Sequence, residues 1–145
     1  MPVDAPAEPA IIARLAAWIP EPPSAPVGRL AAYAWAAPLT AAGLVAGVVS
    51  GSRPQVRDGV LVFPGARGLA ARMLRLRGFN AATLGHIVIA LGQPDERLWR
   101  HELTHVRQSE RLGPLFPLLY LAALARYGYR RNPFERAAYL AGRRG

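Results

Sequence analysis

Apolar residues recur at helical spacing over residues 94–112 and at strand spacing over residues 56–63 and 83–91. These three segments predict the core of the chain. In the first, Pro94 suits an opening helical position, Asp95 and Glu96 suit the positive end of a helix, and Gly113-Pro114 stops it. Trp99, Leu103 and Val106 form an apolar stripe, with Leu98, His101, Glu102 and His105 on a neighbouring face. One face should therefore pack and the other should border a cleft. Glu96 and Arg100 have the i, i+4 spacing of a surface ion pair. Residues 56–63, with Asp58-Gly59 inside them and Pro64-Gly65 after them, predict a short strand or hairpin. Residues 83–91 predict one more strand, with Leu84, His86, Val88 and Ala90 on one side and Gly85, Ile87, Ile89 and Leu91 on the other. Asn132 as cap and Pro133 as first residue begin a later helix.

The N-terminal third follows a different pattern. Half of the chain's 14 prolines fall within residues 2–26, around Ile11, Ile12, Leu15 and Ile19, which suit a short amphipathic helix, and residues 20–26 suit a linker. Residues 1–28 are accordingly separated from a domain over 29–145. The segment lacks the basic start and apolar core of a cleavable signal peptide. From Leu30 to Ser52 no residue is charged. Such a stretch is long enough to cross a bilayer, for which about 20 apolar residues suffice. It is also rich in weakly apolar Ala and Gly and interrupted by Pro38, so a buried backing helix over residues 38–49 is the competing expectation. Residues 112–125 are apolar but too short to span, which suits a core helix or an element at a membrane interface.

The chemistry concentrates in His101-Glu102-Leu103-Thr104-His105, which holds two of the chain's three histidines. Two imidazoles four residues apart on a helix project together and can grip one metal ion, and Glu102, one step round, can serve that ion's water. A catalytic zinc needs a third protein ligand and an open position. The chain has no cysteine, His86 lies upstream, and Glu110 is turned away from the histidine pair on the same helix. Glu135 remains, in Asn132-Pro133-Phe134-Glu135. The same spacing is that of a capping box, so Glu135 as ligand stands against Glu135 as helix cap.

Over roughly residues 80–140 the chain resembles the gluzincin metallopeptidases, in which H-E-x-x-H on one helix is completed by a Glu on a later helix. The resemblance is closest to the minimal, single-domain members. It implies an α+β, zincin-like fold: a backing helix, a small antiparallel sheet, the active-site helix and a C-terminal glutamate helix. It further implies one zinc ion per chain held by His101, His105 and Glu135. A peptide or protein would be hydrolysed by zinc-activated water with Glu102 as general base. Many gluzincins carry an Asp four residues after the ligand Glu, supporting a zinc-bound His, and here that position is Tyr139. Another group must orient His101. Tyr127, Tyr129, Arg130, Arg131 and Tyr139 cluster near Glu135 as oxyanion or supporting groups. In that family an edge strand holds the substrate extended, so His86 could line the cleft; in an otherwise apolar strand it could equally be a satisfied structural histidine. The alternative function is an inactive zincin-like domain that binds a membrane or a protein.

Composition narrows the partners. All 18 basic residues are arginine, and the formal charge is +9. They are scattered, without a nucleic-acid-binding motif, so no specific nucleic-acid binding is expected. Zero cysteines exclude disulfides and thiolate metal sites. The charge is uneven. Two arginines against three acids give −1 up to residue 52, and sixteen against six give +10 beyond it. If the uncharged segment spans a membrane, that excess puts the remainder on the cytoplasmic face.

Overall fold

The hairpin expected around Asp58-Gly59 forms, as β1 (Gln55–Arg57) and β2 (Val60–Phe63). Its two turn residues take positive φ of 50° and 75°, the conformation that two-residue hairpin loops favour and that Asp and Gly tolerate. The computed structural model describes residues 7–145; residues 1–6, which include Pro2 and Pro6 of the proline-rich segment, lie outside the described residues.

Three helices pack around the four-stranded sheet, which has the order β1-β2-β4-β3, where β3 is Ala81–Leu84 and β4 is Ile87–Ala90. The single strand expected over 83–91 is thus two. Gly85, at φ 59°, turns the chain back, and Leu84 pairs with Ile87. Alternation of side chains continues through a two-residue turn, so the pattern in sequence did not betray the reversal. The expected antiparallel sheet is mixed, because β2 and β4 run parallel. The reason is helix α3 (Gly68–Arg77), which residue patterning left unassigned: it carries the chain across between β2 and β3. Its C-cap is Gly78 in the left-handed region.

Both faces of the sheet are covered. Val60, Val62, Val88 and Ala90 pack with Trp99 and Val106 of α4 (Glu96–Leu112). Phe63, Ile87 and Ile89 point the other way and meet Ala71 and Leu74 of α3. Asp95 caps α4 by accepting the Leu98 amide at 2.7 Å, and the Trp99 indole donates to Asp58 at 2.8 Å, joining helix to hairpin. Glu96 pairs with Arg57 of β1 rather than with Arg100, because the strand brings a guanidinium closer than the helix surface does.

The uncharged segment is one long helix, α2 (Pro26–Val49). The expected start at Pro38 is too late: Pro38 sits inside the helix, where its missing N–H costs about 3 kcal/mol. Packing on both sides of the proline offsets this. Ala32, Ala36, Gly43 and Gly47 form a narrow buried stripe, and a Cβ at Gly43 would lie 2.8 Å from the Ile87 side chain. The remaining circumference is exposed and apolar, including Leu30, Trp35, Leu44, Val45 and Val48. By length and composition α2 is the one helix among the described residues that could cross a membrane. Helix α1 (Ala10–Ala16) packs on α6 (Pro133–Arg143), and α5 (Leu115–Tyr127) shares with α6 a cluster of Phe116, Ala123 and Phe134.

Candidate metal centre

Helix α4 turns His101 and His105 to the same side, and α6 delivers Glu135 opposite them. His101 Nε2 lies 3.2 Å from His105 Nε2, and the Glu135 carboxylate lies 3.1 Å from the first and 3.4 Å from the second. All three residues are buried. Four ligands placed tetrahedrally at zinc bond lengths of about 2.0–2.1 Å stand about 3.4 Å apart. The three donors therefore fit the face of such a tetrahedron.

Their protonation supports the same conclusion. Gln108, one turn after His105, donates its amide to the Phe134 carbonyl at 3.3 Å, which fixes its oxygen towards His105 Nδ1 at 2.9 Å. That oxygen only accepts, so Nδ1 carries the hydrogen and the Nε2 lone pair faces Glu135. Lone pair and carboxylate would repel unless a cation stands between them. With only a proton available, the His105 pKa is raised to about 8: burial, the largest influence, lowers it, and the hydrogen bond to Glu135 and the charges of Glu135 and Glu102 overcome that. Burial likewise pushes the Glu135 carboxyl upward, and the two histidines and Tyr120 hold it well below the usual range. Glu135 Oε2 is buried with His101 Nε2 at 3.1 Å beside it, and the Tyr120 hydroxyl donates to Oε1 at 2.6 Å. Burial, followed by the charge of Glu135, pushes the Tyr120 phenol upward, so it remains a donor. A metal ion fits this group, and its donor set of two imidazoles and one carboxylate is among those that hold catalytic zinc.

Helix capping is left to Asn132 alone, whose side chain accepts the Phe134 amide at 3.1 Å while Glu135 points at the histidines. The capping-box alternative for Glu135 fails because a cap would have to fold back to the Asn132 amide, which bonds to the Tyr129 carbonyl instead. Glu102 also faces the cleft, where the Thr83 hydroxyl of β3 donates to its carboxylate at 2.6 Å. Tyr139 occupies the position four residues after Glu135 where a supporting Asp is expected. Its ring meets the His101 ring edge-on, with centroids 4.5 Å apart, so His101 is oriented by packing rather than by a carboxylate.

No protein-family model, curated protein or solved structure matches this chain. A cavity of about 300 Å³ borders the three donors and Glu102, and its walls are mainly apolar, with Leu39 of α2, Leu84 of β3, and Phe116 and Leu121 of α5. Tyr129 lines it and bonds through its hydroxyl to that of Tyr139 at 3.1 Å. Tyr127 packs in the cluster around Phe116, and Arg130 lines a neighbouring concavity. Arg131 is exposed in the turn before α6 and borders none of these cavities, so it is removed from the site: the turn directs it away from α4.

His86 does not line the cleft either. As the second residue of the β3–β4 turn it is 3% exposed and points away from the cavity, stacking on Tyr33 with centroids 3.9 Å apart. Its Nε2 lies 2.9 Å from Glu110 Oε1 and its Nδ1 3.3 Å from the Thr40 hydroxyl. It therefore ties the turn to α2 and α4. Thr83, Gln108 and Tyr120 went unnoticed in the sequence. Gln108 carried a signal, being three residues after His105 and so on its side of the helix; Tyr120 and Thr83 reach the site only through folding.

Proposed function

We propose that the chain is a zinc-dependent hydrolase of peptide bonds, of the minimal gluzincin kind. The observation that carries this is the convergence of His101, His105 and Glu135 in a cleft wall with Glu102 beside them. Zinc held there would supply a Lewis acid that polarises the scissile carbonyl and acidifies an attacking water. Glu102, steadied by Thr83, takes the proton from that water and hands it to the leaving amine. Gln108 keeps the His105 lone pair turned inward, and Tyr120 neutralises part of the Glu135 charge. The Tyr129 phenol, pushed upward by burial and by Tyr139, stays protonated in the cleft wall as a donor to the developing oxyanion.

The exposed faces of α2 and α5 add a location to this reading. Val45 and Val48 on α2 and Leu118 on α5 are each about two-thirds exposed, at 66%, 66% and 65%. No charge interrupts residues 30–52, while Arg29 and Arg53 bracket them. Such faces suit lipid, with guanidinium groups at the headgroup level. The stripe from Ala32 to Gly47 is packed on the domain, so a helix crossing the bilayer would carry the sheet in with it. The better reading is a domain lying on the membrane.

The decisive test pairs two substitutions. Glu102→Gln should keep one zinc per chain and lose hydrolysis of a peptide library, because every ligand remains. Glu135→Gln should weaken zinc itself. Full hydrolysis by the Glu102→Gln protein, or stoichiometric zinc in a His101→Ala/His105→Ala protein, would overturn the assignment.

A further inference from the structure

The cleft does not end at the metal-binding group. Past Tyr129 it opens into a wider concavity of about 1000 Å³, which shares Phe79, Tyr120 and Leu121 with it. Arg77 at the end of α3, Arg130 in the α5–α6 turn, and Arg136 and Arg143 of α6 line this space, and among the described residues no acidic one does. Like charges gathered around a concave wall repel one another and focus a positive potential into it. Arg136 already meets a carboxylate, that of Glu8 before α1, at the rim. Among the described residues Arg77, Arg130 and Arg143 make no ion pair.

Strand β3 connects the two spaces. It is the last strand of the sheet, and its outer side pairs with no strand among the described residues. Its Ala81 end adjoins Gly78, Phe79 and the arginines, whereas its Leu84 end adjoins the apolar wall. An extended peptide laid antiparallel on β3 would pass the metal-binding group with its C-terminal side towards the arginines.

We propose that the arginine-lined concavity binds a carboxylate of the substrate, either an Asp or Glu side chain or the chain terminus, on the C-terminal side of the cleaved bond. This rests on the hydrolase reading of the neighbouring site and names the substrate class that reading leaves open. Guanidinium–carboxylate pairing is charge-assisted and bidentate where geometry allows. Its strength should fall as salt screens the exposed partners.

The test uses Ala/Leu peptides labelled with an uncharged BODIPY dye and carrying a single Asp or Asn, each as the free acid or the amide. Binding is measured by anisotropy to the zinc-loaded Glu102→Gln protein, which holds substrate without turning it over. Peptides with a carboxylate should bind about tenfold more tightly than their neutral counterparts at low salt, and comparing Asp with the free terminus tells which carboxylate is read. Arg77→Gln/Arg130→Gln/Arg143→Gln, all exposed positions, should erase the preference and leave neutral peptides bound as before. Wild-type hydrolysis should show the same preference in KM. Charge-selective binding without any hydrolysis would end the hydrolase reading and keep the concavity as a carboxylate-binding site for an uncleaved peptide. Equal affinity across the series would overturn it, as would arginine-dependent binding to phosphatidylserine vesicles by a protein that ignores peptide charge.

Discussion

His105 and Glu135 titrate in opposite directions, and the pH dependence of the metal-free protein follows from both. Glu135 is held below its ordinary 4.5, so its contribution to stability is present above that pH and is lost on acidification. His105 is raised from 6.5 to about 8, so its contribution is complete below 6.5 and is lost as the pH rises through 8. Zinc requires His105 without its proton, which reverses the second slope. Melting curves in chelator should therefore fall in Tm from pH 6.5 to about 8, while the Tm gain from added zinc should grow over the same range. Parallel slopes with and without zinc would mean that His105 is no ligand. Gln108 acts on the same imidazole. Removing its oxygen in Gln108→Ala frees the imidazole to turn, and zinc affinity should drop about 10–100-fold with all three ligands intact. A chelator competition titration measures this directly.

Helix α2 joins two requirements that a sequence pattern does not separate. Its small residues meet the sheet, and its large ones face outward. Period 3.6 marks a face, but an apolar residue on every face hides which one is buried. Ala and Gly line the contact because the helix backbone approaches β4 and β2 closely, with Gly47 directly against the Phe63 ring. Gly43→Val should consequently cost about 1–3 kcal/mol, since its branches would overlap Ile87 and Leu84. Leu44, one position on, is 44% exposed, and Leu44→Arg should change stability by no more than about 0.5 kcal/mol. Urea denaturation of the two variants reads the contrast. A helix buried in the conventional way, by its large residues, would give the opposite order. Helix α3 hides its buried face in a related way. Three arginines and exposed Leu69, Met73 and Leu76 blur its apolar face, which reduces to Ala71 and Leu74.

At the scale of the whole molecule, α2 and α5 offer apolar surface while the domain beyond residue 52 carries most of the positive charge. Both properties favour an anionic lipid surface. The protein should sediment with phosphatidylserine-containing vesicles and be released by alkali, as a domain lying on the membrane is. Val45→Ser/Val48→Ser/Leu118→Ser should abolish the binding with the fold retained. Extraction by detergent alone would argue for a span, and recovery wholly in the aqueous phase would remove the membrane from the picture.

The juxtaposed histidine pair and its helix were legible from the amino acids alone, because i, i+4 spacing is a local property that the α-helix converts directly into geometry. The same holds for the Asp58-Gly59 turn and the Asn132-Pro133 helix start, each set by one or two residues whose backbone preferences are strong. Glu135 was reachable by elimination among few donors, but only packing beside α4 turned its carboxylate to the histidines and left the helix cap to Asn132. The parallel pairing of β2 with β4, the placing of His86 and Arg131 outside the cleft, and the support from Thr83 and Tyr120 came from tertiary packing. These depend on which surfaces meet across 15 or more residues of chain, as Tyr120 and Glu135 do. Contacts of that range are selected by the packing of the whole core, and no local preference encodes them.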